Sequence, residues 1–452
     1  MRNNGLLPPG KPAMTRPSVL LARALSTLLL CLPLTGAAEP AAAQTGVVIG
    51  WGSDSNGKAT PPYAVNGASG TATAVSAGYN NSCAIQVGTG EVVCWGADFF
   101  GHSTPPDAVN GVSGTAVDIS VGRLYSCAIQ AGTGEAVCWG GDLNGRATPS
   151  DAVNGVSGTA TEISAGPYHG CAIQAGSGDA VCWGDNSNGE ATPPDAVNGI
   201  SGTATGIAAG WYHACAIQAG SGNVVCWGDN SDGAATPPDS VNGVAGTATE
   251  ITAGSSFSCA IQASSGVVVC WGLDISGQAT PPDEVNGVLG TADQISARST
   301  HACAVQAGTG SAVCWGANSA GQATIPDFVN AGITTGISAG QAHTLAFGDF
   351  AVDRDGDGLE DELDNCMEVP NPDQFDSDGD DCGNRCDSDY DNSGVTGHPD
   401  YFEFATAWST YDDDKCISPG CFVGFGELTV FVTNYGSITG PSGTTAGTTA
   451  CP

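Results

Sequence analysis

Basic residues are scarce in this sequence: 11 Lys and Arg stand against 46 Asp and Glu, for a formal net charge of −35. Nucleic acids and anionic membrane surfaces are gripped through clustered Lys and Arg, so neither is expected as a partner. Long helix-forming runs are few, and charged residues make up only 13% of the chain. An N-terminal apolar stretch is too short for a spanning helix, and no other segment is long and apolar enough to cross a bilayer. The spacings that mark catalysis are missing too. No Ser-His-Asp arrangement, phosphate-cradling Gly loop or His-Glu metal motif stands out. The many GTG and GSG triplets read as hairpin turns, and no enzyme is expected.

What is present is length, glycine and cysteine. A chain of 452 residues with 67 Gly and 25 Pro is too long for one ordinary core. Arg16 and Arg23 precede an apolar stretch, Ala24 to Leu34, and small residues ending AEPAAAQ follow. This reads as an export signal over residues 1–43, cleaved after Ala43, with Met14 a more compact start than Met1. Cys31 lies in the apolar stretch, but Leu30 before it fits a lipoprotein processing site poorly. The other eighteen cysteines are expected in an oxidising space, on a secreted or cell-surface protein of a bacterium.

Trp-Gly recurs at Trp51, Trp95, Trp139, Trp183, Trp227, Trp271 and Trp315, always 44 residues apart. So strict a period marks a repeat architecture. Each unit reads as short strands, such as TATEIS, CAIQA and VVCWG, separated by Gly-rich turns and by ATPPDAVNG. Four short strands per 40–45 residues is the expectation for a propeller blade. Six units carry a cysteine pair: Cys83 and Cys94, Cys127 and Cys138, Cys171 and Cys182, Cys215 and Cys226, Cys259 and Cys270, Cys303 and Cys314. Folding the chain back at Gly88-Thr89 sets Cys83 opposite Cys94, at a separation a disulfide spans. A metal site would need tighter spacing and further ligands.

The seventh pair is missing from both ends of the array. Leu345 stands where a first cysteine belongs, and Gly50 where a second one does. A strand at residues 46–52 added to the sheet begun by 333–347 accounts for both departures. The fold class expected is mainly β, with residues 44–348 forming a seven-bladed propeller closed by its N-terminal strand. GWYHACAIQAGSGNVVCWGDNSDG resembles the repeat of the regulator of chromosome condensation propellers. The resemblance covers about 300 residues, from the first Trp-Gly to the end of the array. It implies fold more than activity, because that family includes both nucleotide exchange on a nuclear GTPase and a secreted β-lactamase inhibitor.

Positions that vary between repeats are free, or used. One slot reads Asn81, Tyr125, His169, His213, Phe257, His301, His343, which suits packing with occasional hydrogen bonding. The loop before each first cysteine reads Tyr79-Asn80, Arg123-Leu124, Pro167-Tyr168, Trp211-Tyr212, Ser255-Ser256, Ser299-Thr300, Gln341-Ala342. On one rim, Tyr79, Leu124, Tyr168, Trp211 and Tyr212 would form an aromatic arc suited to binding. Phe99-Phe100-Gly101-His102 is the apolar instance of the loop after Trp-Gly, either a second contact or a local plug.

After Phe347 the composition changes, and residues 349–414 hold 22 acidic side chains and two basic ones. Asp353, Asp355, Asp357, Gly358 and Asp364 occupy positions 1, 3, 5, 6 and 12 of a calcium loop, with Leu359 at the backbone-ligand position. Asp376, Asp378, Asp380 and Asp387 repeat the pattern with Asp381 in place of the turn glycine; Asp389, Asp391, Ser393, Gly394, Val395 and Asp400 restore it. Calcium is therefore the expected cofactor. Residues 349–388 resemble thrombospondin type 3 repeats, including the Asp-Asn-Cys and Asn-Pro-Asp-Gln elements. That resemblance implies a bridge between Cys366 and Cys386; the pairing of Cys382, Cys416, Cys421 and Cys451 stays open. Residues 389–438 look like a dockerin-type EF-hand lobe, its second half degenerate, before a flexible tail at 439–452.

These features lead to an exported, monomeric propeller scaffold that binds an extracellular protein or glycan and is positioned by a calcium-stiffened C-terminal module. The alternative is a secreted inhibitor that inserts Asp98, Asp142, Asp185 or Asp229 into a basic active site.

Overall fold

The computed structural model describes residues 45–67 and 70–350. The export signal, the calcium ligands from Asp353 to Asp400, Cys366, Cys386, the thrombospondin-like and dockerin-like segments and the tail lie outside the described residues.

Each repeat forms one antiparallel three-stranded sheet. The first comprises Ala72–Ala77, Asn81–Gln86 and Val92–Gly96. The second comprises Ala116–Val121, Tyr125–Gln130 and Ala136–Gly140, and the third Ala160–Ala165, His169–Gln174 and Ala180–Gly184. The fourth runs through Ala204–Ala209, His213–Gln218 and Val224–Gly228, and the fifth through Ala248–Ala253, Phe257–Gln262 and Val268–Gly272. Ala292–Arg298, His301–Gln306 and Ala312–Gly316 make the sixth. The seventh joins Ile333–Ala339 and His343–Asp349 to the distant strand Val47–Gly52. Its register sets Gly50 opposite Leu345, as Cys83 is opposite Cys94. The two residues that replace the missing cysteines therefore face each other. A Cβ at Gly50 would run into the backbone of Ala59, so this position is held by glycine.

The six cysteine pairs are all disulfides, with Cα atoms 4.0–4.1 Å apart. In the middle strands, residues on both faces are buried, as expected where sheets stack face to face. Small residues such as Ala84, Ala128 and Ala172 allow that close approach. No single core exists; apolar clusters sit between consecutive sheets. One joins Tyr125, Ile129 and Ile163 with Trp183, and another joins Val48, Leu345 and Phe347 of the seventh sheet to Ala72, Ala84 and Trp95 of the first. Every first strand is bulged near its start, which adds twist.

The tryptophan period has a hydrogen-bonding cause. Each indole donates to a carbonyl 37 residues earlier, as Trp183 does to Arg146 at 2.9 Å. Trp51 makes the same bond to Gln322, 271 residues later, at 3.0 Å.

The expected fourth strand per repeat is not regular. Its segment carries prolines, which supply no N–H to a ladder. Instead one backbone bond ties it on, as Val92 N–H donates to Val109 O at 2.9 Å, and the Val109 side chain is fully buried.

Hydroxyls stitch the first strands together. The backbone N–H groups of Val121, Ala165, Ala209, Ala297, Ala339 and Ala77 donate to Ser76, Ser120, Ser164, Thr252, Ser296 and Ser338 respectively. The fourth sheet breaks this series, with Ala208 in the hydroxyl position. Ala208→Ser should give Ala253 N–H its acceptor and raise stability by about 1 kcal/mol, read from denaturant unfolding. No gain would mean that this stitch contributes nothing measurable.

Candidate functional site: a cation and aromatic cluster at the loop ends

The first strand of each sheet ends in a short loop, three residues long except for two in the sixth sheet, that turns into the middle strand. Those loops bring Tyr79, Arg123, Tyr168, Trp211 and Tyr212 together. The Tyr168 and Tyr212 rings stack at 5.3 Å, and Trp211 meets both edge-on, at 6.4 and 6.3 Å. Arg123 lies over the Tyr79 ring at 4.9 Å and over that of Tyr168 at 5.7 Å, and its Nη1 donates to the Tyr168 hydroxyl at 2.7 Å. Tyr168, Trp211 and Tyr212 are thus in ring contact with one another, and Arg123 links Tyr79 to them. Leu124 makes no ring contact among the described residues; it adopts φ 65° and its carbonyl accepts from Gly141 N–H. Arg123 occupies the place assigned to it. A sequence signal for this existed, since Arg123 aligns with Tyr79 and Trp211, whereas Leu124 aligns with Asn80, Tyr168 and Tyr212.

Arg298 was missed entirely. It stands in a slot otherwise filled by Gly78, Gly122, Gly166, Gly210, Gly254 and Gly340. A Cβ at Gly122 would strike the Tyr125 ring and one at Gly254 the Phe257 ring, which is why glycine prevails there. Arg298 is followed by Ser299 at φ 54°, and its Nη2 reaches from the sixth sheet to Ala165 O of the third, at 2.9 Å. It borders a cavity of about 140 Å³ lined by the first strands of all seven sheets. Burial lowers the Arg298 guanidinium to about 10. Burial also lowers Arg146 and Lys58.

Among the described residues the histidines of the middle strands lie on separate sheets. His213, His301 and His343 pair through Nε2 with Ser258, Thr344 and Ser82 of the following sheet at 2.9–3.0 Å. His169 meets no hydroxyl, because Ala214 stands at the equivalent place. Burial drives His169 down to about 3 and His213 and His301 to about 4. Asp98 and Asp142 each accept a backbone N–H and a Thr hydroxyl of their own loop. Phe99 and Phe100 stay exposed, whereas His102 is fully buried. Among the described residues no group of three or more His, Cys, Asp or Glu is placed to hold a metal.

Asp118, Glu162 and Glu250 lie on first strands and accept backbone N–H bonds from Ile163, Ile207 and Ile295. Burial raises Asp118 to about 6 and Glu162 and Glu250 to about 7. A raised carboxylate binds its proton more tightly in the folded chain, so its contribution falls as pH rises through about 7. The slot already tolerates an amide, since Gln294 accepts from Ile337 N–H in the same way. Glu162→Gln should therefore stabilise the chain by about 1 kcal/mol or more at pH 8, with the gain fading towards pH 4. Paired thermal melts across that range measure it; a gain independent of pH would show that ionisation of Glu162 is not the cause.

A family profile described as the regulator of chromosome condensation (RCC1) repeat matches residues 160–190 and 204–234. No curated protein matches the sequence significantly. Among solved structures, human WBSCR16 is 13% identical over 68% of this chain and 100% of its own, with a TM-score of 0.52. Saccharomyces cerevisiae Prp20p, studied for its binding to Gsp1p and histones, is 16% identical over 69% and 93%, with a TM-score of 0.50. The ectodomain of the Physcomitrella patens receptor kinase CR4 is 22% identical over 59% and 68%, at a TM-score of 0.47. Repeat profile, sheet order and structural likeness agree: this chain carries a propeller of RCC1-type repeats.

Proposed function

We propose that the chain is an exported, closed seven-bladed propeller that binds an extracellular protein or glycan through the loop face bearing Tyr79, Arg123, Tyr168, Trp211 and Tyr212. The contiguous ring cluster carries this reading, because half-buried Tyr and Trp beside Arg, with Tyr212 exposed, are the residue types that dominate binding hot spots. Closure is supported by the bonds Trp51 to Gln322, Ala77 to Ser338 and His343 to Ser82, each of which repeats an internal contact. Export is supported by six disulfides, which persist in oxidising spaces. In this reading the protein acts by binding, not by catalysis, and its histidines serve sheet packing. The acidic segment after Phe350 binds calcium through the loops at Asp353, Asp376 and Asp389, and this stiffens the attachment of the propeller. Prp20p, of the same fold, binds proteins.

Capture from the producer's envelope and culture fluid, with calcium and then with chelator, tests the assignment. The Tyr168→Ala/Trp211→Ala variant should lose retention about tenfold or more. Undiminished capture by that variant would remove the loop face as the binding surface. Capture that also vanished with chelator would move recognition to the C-terminal segment.

A further inference from the structure

We infer that the ligand of this face is an acidic sugar chain, a uronic-acid oligosaccharide whose carboxylate is taken by Arg123. The inference rests on the binding role proposed above and names its ligand class. Charge sorting is the first observation. Between residues 45 and 350 the sequence has 23 acidic residues and only four basic ones, Lys58, Arg123, Arg146 and Arg298. All four end at the loops of the first three sheets. Lys58 Nζ donates to Tyr79 O, Arg146 Nη1 to Pro167 O and Arg298 Nη2 to Ala165 O, while Arg123 stacks between Tyr79 and Tyr168.

None of the four has a carboxylate partner among the described residues, where His102 with Asp98 is the one ion pair. Lys58 and Arg146 are only 3% and 4% exposed; burial lowers both, and the nearby carboxylates of Asp54 and Asp142 oppose that without forming an ion pair. The ends of the four basic side chains are thus gathered on the first three sheets, while acids are spread over all of them. The acids at this level are mostly engaged within their own loops; Glu190, fully buried in the slot equivalent to Arg146, accepts from Asn188 N–H through Oε2. Asp54, Asp98 and Asp142 accept hydrogen bonds inside their own loops, and Asp185 accepts from Ser187 N–H.

Geometry selects the anion. The Arg123 fork is fixed by two flanking rings and one hydrogen bond, which leaves guanidinium N–H groups for two-point binding of a carboxylate. The stacked Tyr168 and Tyr212 rings, edged by Trp211, give flat apolar area for the C–H face of a pyranose. The cavity that Arg298 borders is lined by Ser and Thr hydroxyls of the first strands together with Ile207, Ile251 and several alanines, and its hydroxyls suit those of a sugar better than the side chains of an acidic peptide.

Calorimetry of the oxidised full chain tests this with galacturonate, mannuronate and glucuronate tetramers, their carboxyl-reduced neutral forms, and a tetraglutamate peptide. At least one uronate should bind, its reduced form about tenfold or more weakly, and its affinity should fall with added salt. Arg123→Gln should lose about tenfold or more at an unchanged melting temperature, while Ser255→Ala binds as wild type. Equal binding of the reduced form would overturn the inference and leave the binding role intact, with a neutral glycan as ligand. Binding of tetraglutamate in preference to every uronate, or of no tetramer at all, would also overturn it. Failure of the binding role itself is read separately, from capture by the Tyr168→Ala/Trp211→Ala variant.

Discussion

Trp51→Ala should destabilise the chain by about 3–5 kcal/mol, as much as Trp183→Ala in the middle of the array. In an open stack of repeats the end unit touches one neighbour and frays on its own, so a terminal substitution costs little. Trp51 is not placed as an end residue. It is 7% exposed, packs with Cys303, Val305, Val329 and Ile337, and donates its indole N–H to Gln322. Trp183 is also 7% exposed, with the equivalent bond to Arg146. Equal burial and equal bonding predict equal cost. Guanidinium unfolding of the two variants decides the matter: a near-neutral Trp51→Ala beside a costly Trp183→Ala would mean that the strand Val47–Gly52 does not close the ring in solution.

The second large effect concerns the disulfides. Each bridge spans a sequence separation of 11, and the chain-entropy treatment gives about 3 kcal/mol for a loop of that order. Six bridges at that value exceed the roughly 5–15 kcal/mol by which a folded domain is usually stable. The reduced propeller should therefore fail to refold. The native one should resist reductant, because Cys83, Cys127, Cys171, Cys215, Cys259 and Cys303 are fully buried. Mass-spectrometric counting of alkylated cysteines, with and without denaturant, reads both halves. A chain with all six bridges open and an unchanged near-ultraviolet dichroism spectrum would refute the assignment of stability to them.

Local chemistry made much of this legible. The opposition of Cys83 and Cys94 follows from one hairpin turn and the two-residue period of a strand, both properties of contiguous chain. Leu345 and Gly50 could be matched across nearly three hundred residues because a strict repeat turns sequence position into place within a sheet. The fourth strand was misjudged because a spacing rule was weighed above proline's missing N–H. Arg123 was passed over in favour of Leu124 because an alternating loop does not say which residue turns inward.

The sequence by itself determined the repeat, the bridges and the pairing of the two ends, since each depends on neighbours along the chain or on one period of 44. Only the tertiary structure decided that the side chains of Lys58, Arg123, Arg146 and Arg298, spread over 240 residues, all end against groups of the first three sheets. Their meeting depends on the direction each side chain takes between stacked sheets. That direction is set by packing across sheets, with Arg298 crossing from the sixth to the third, and no spacing along the chain encodes it.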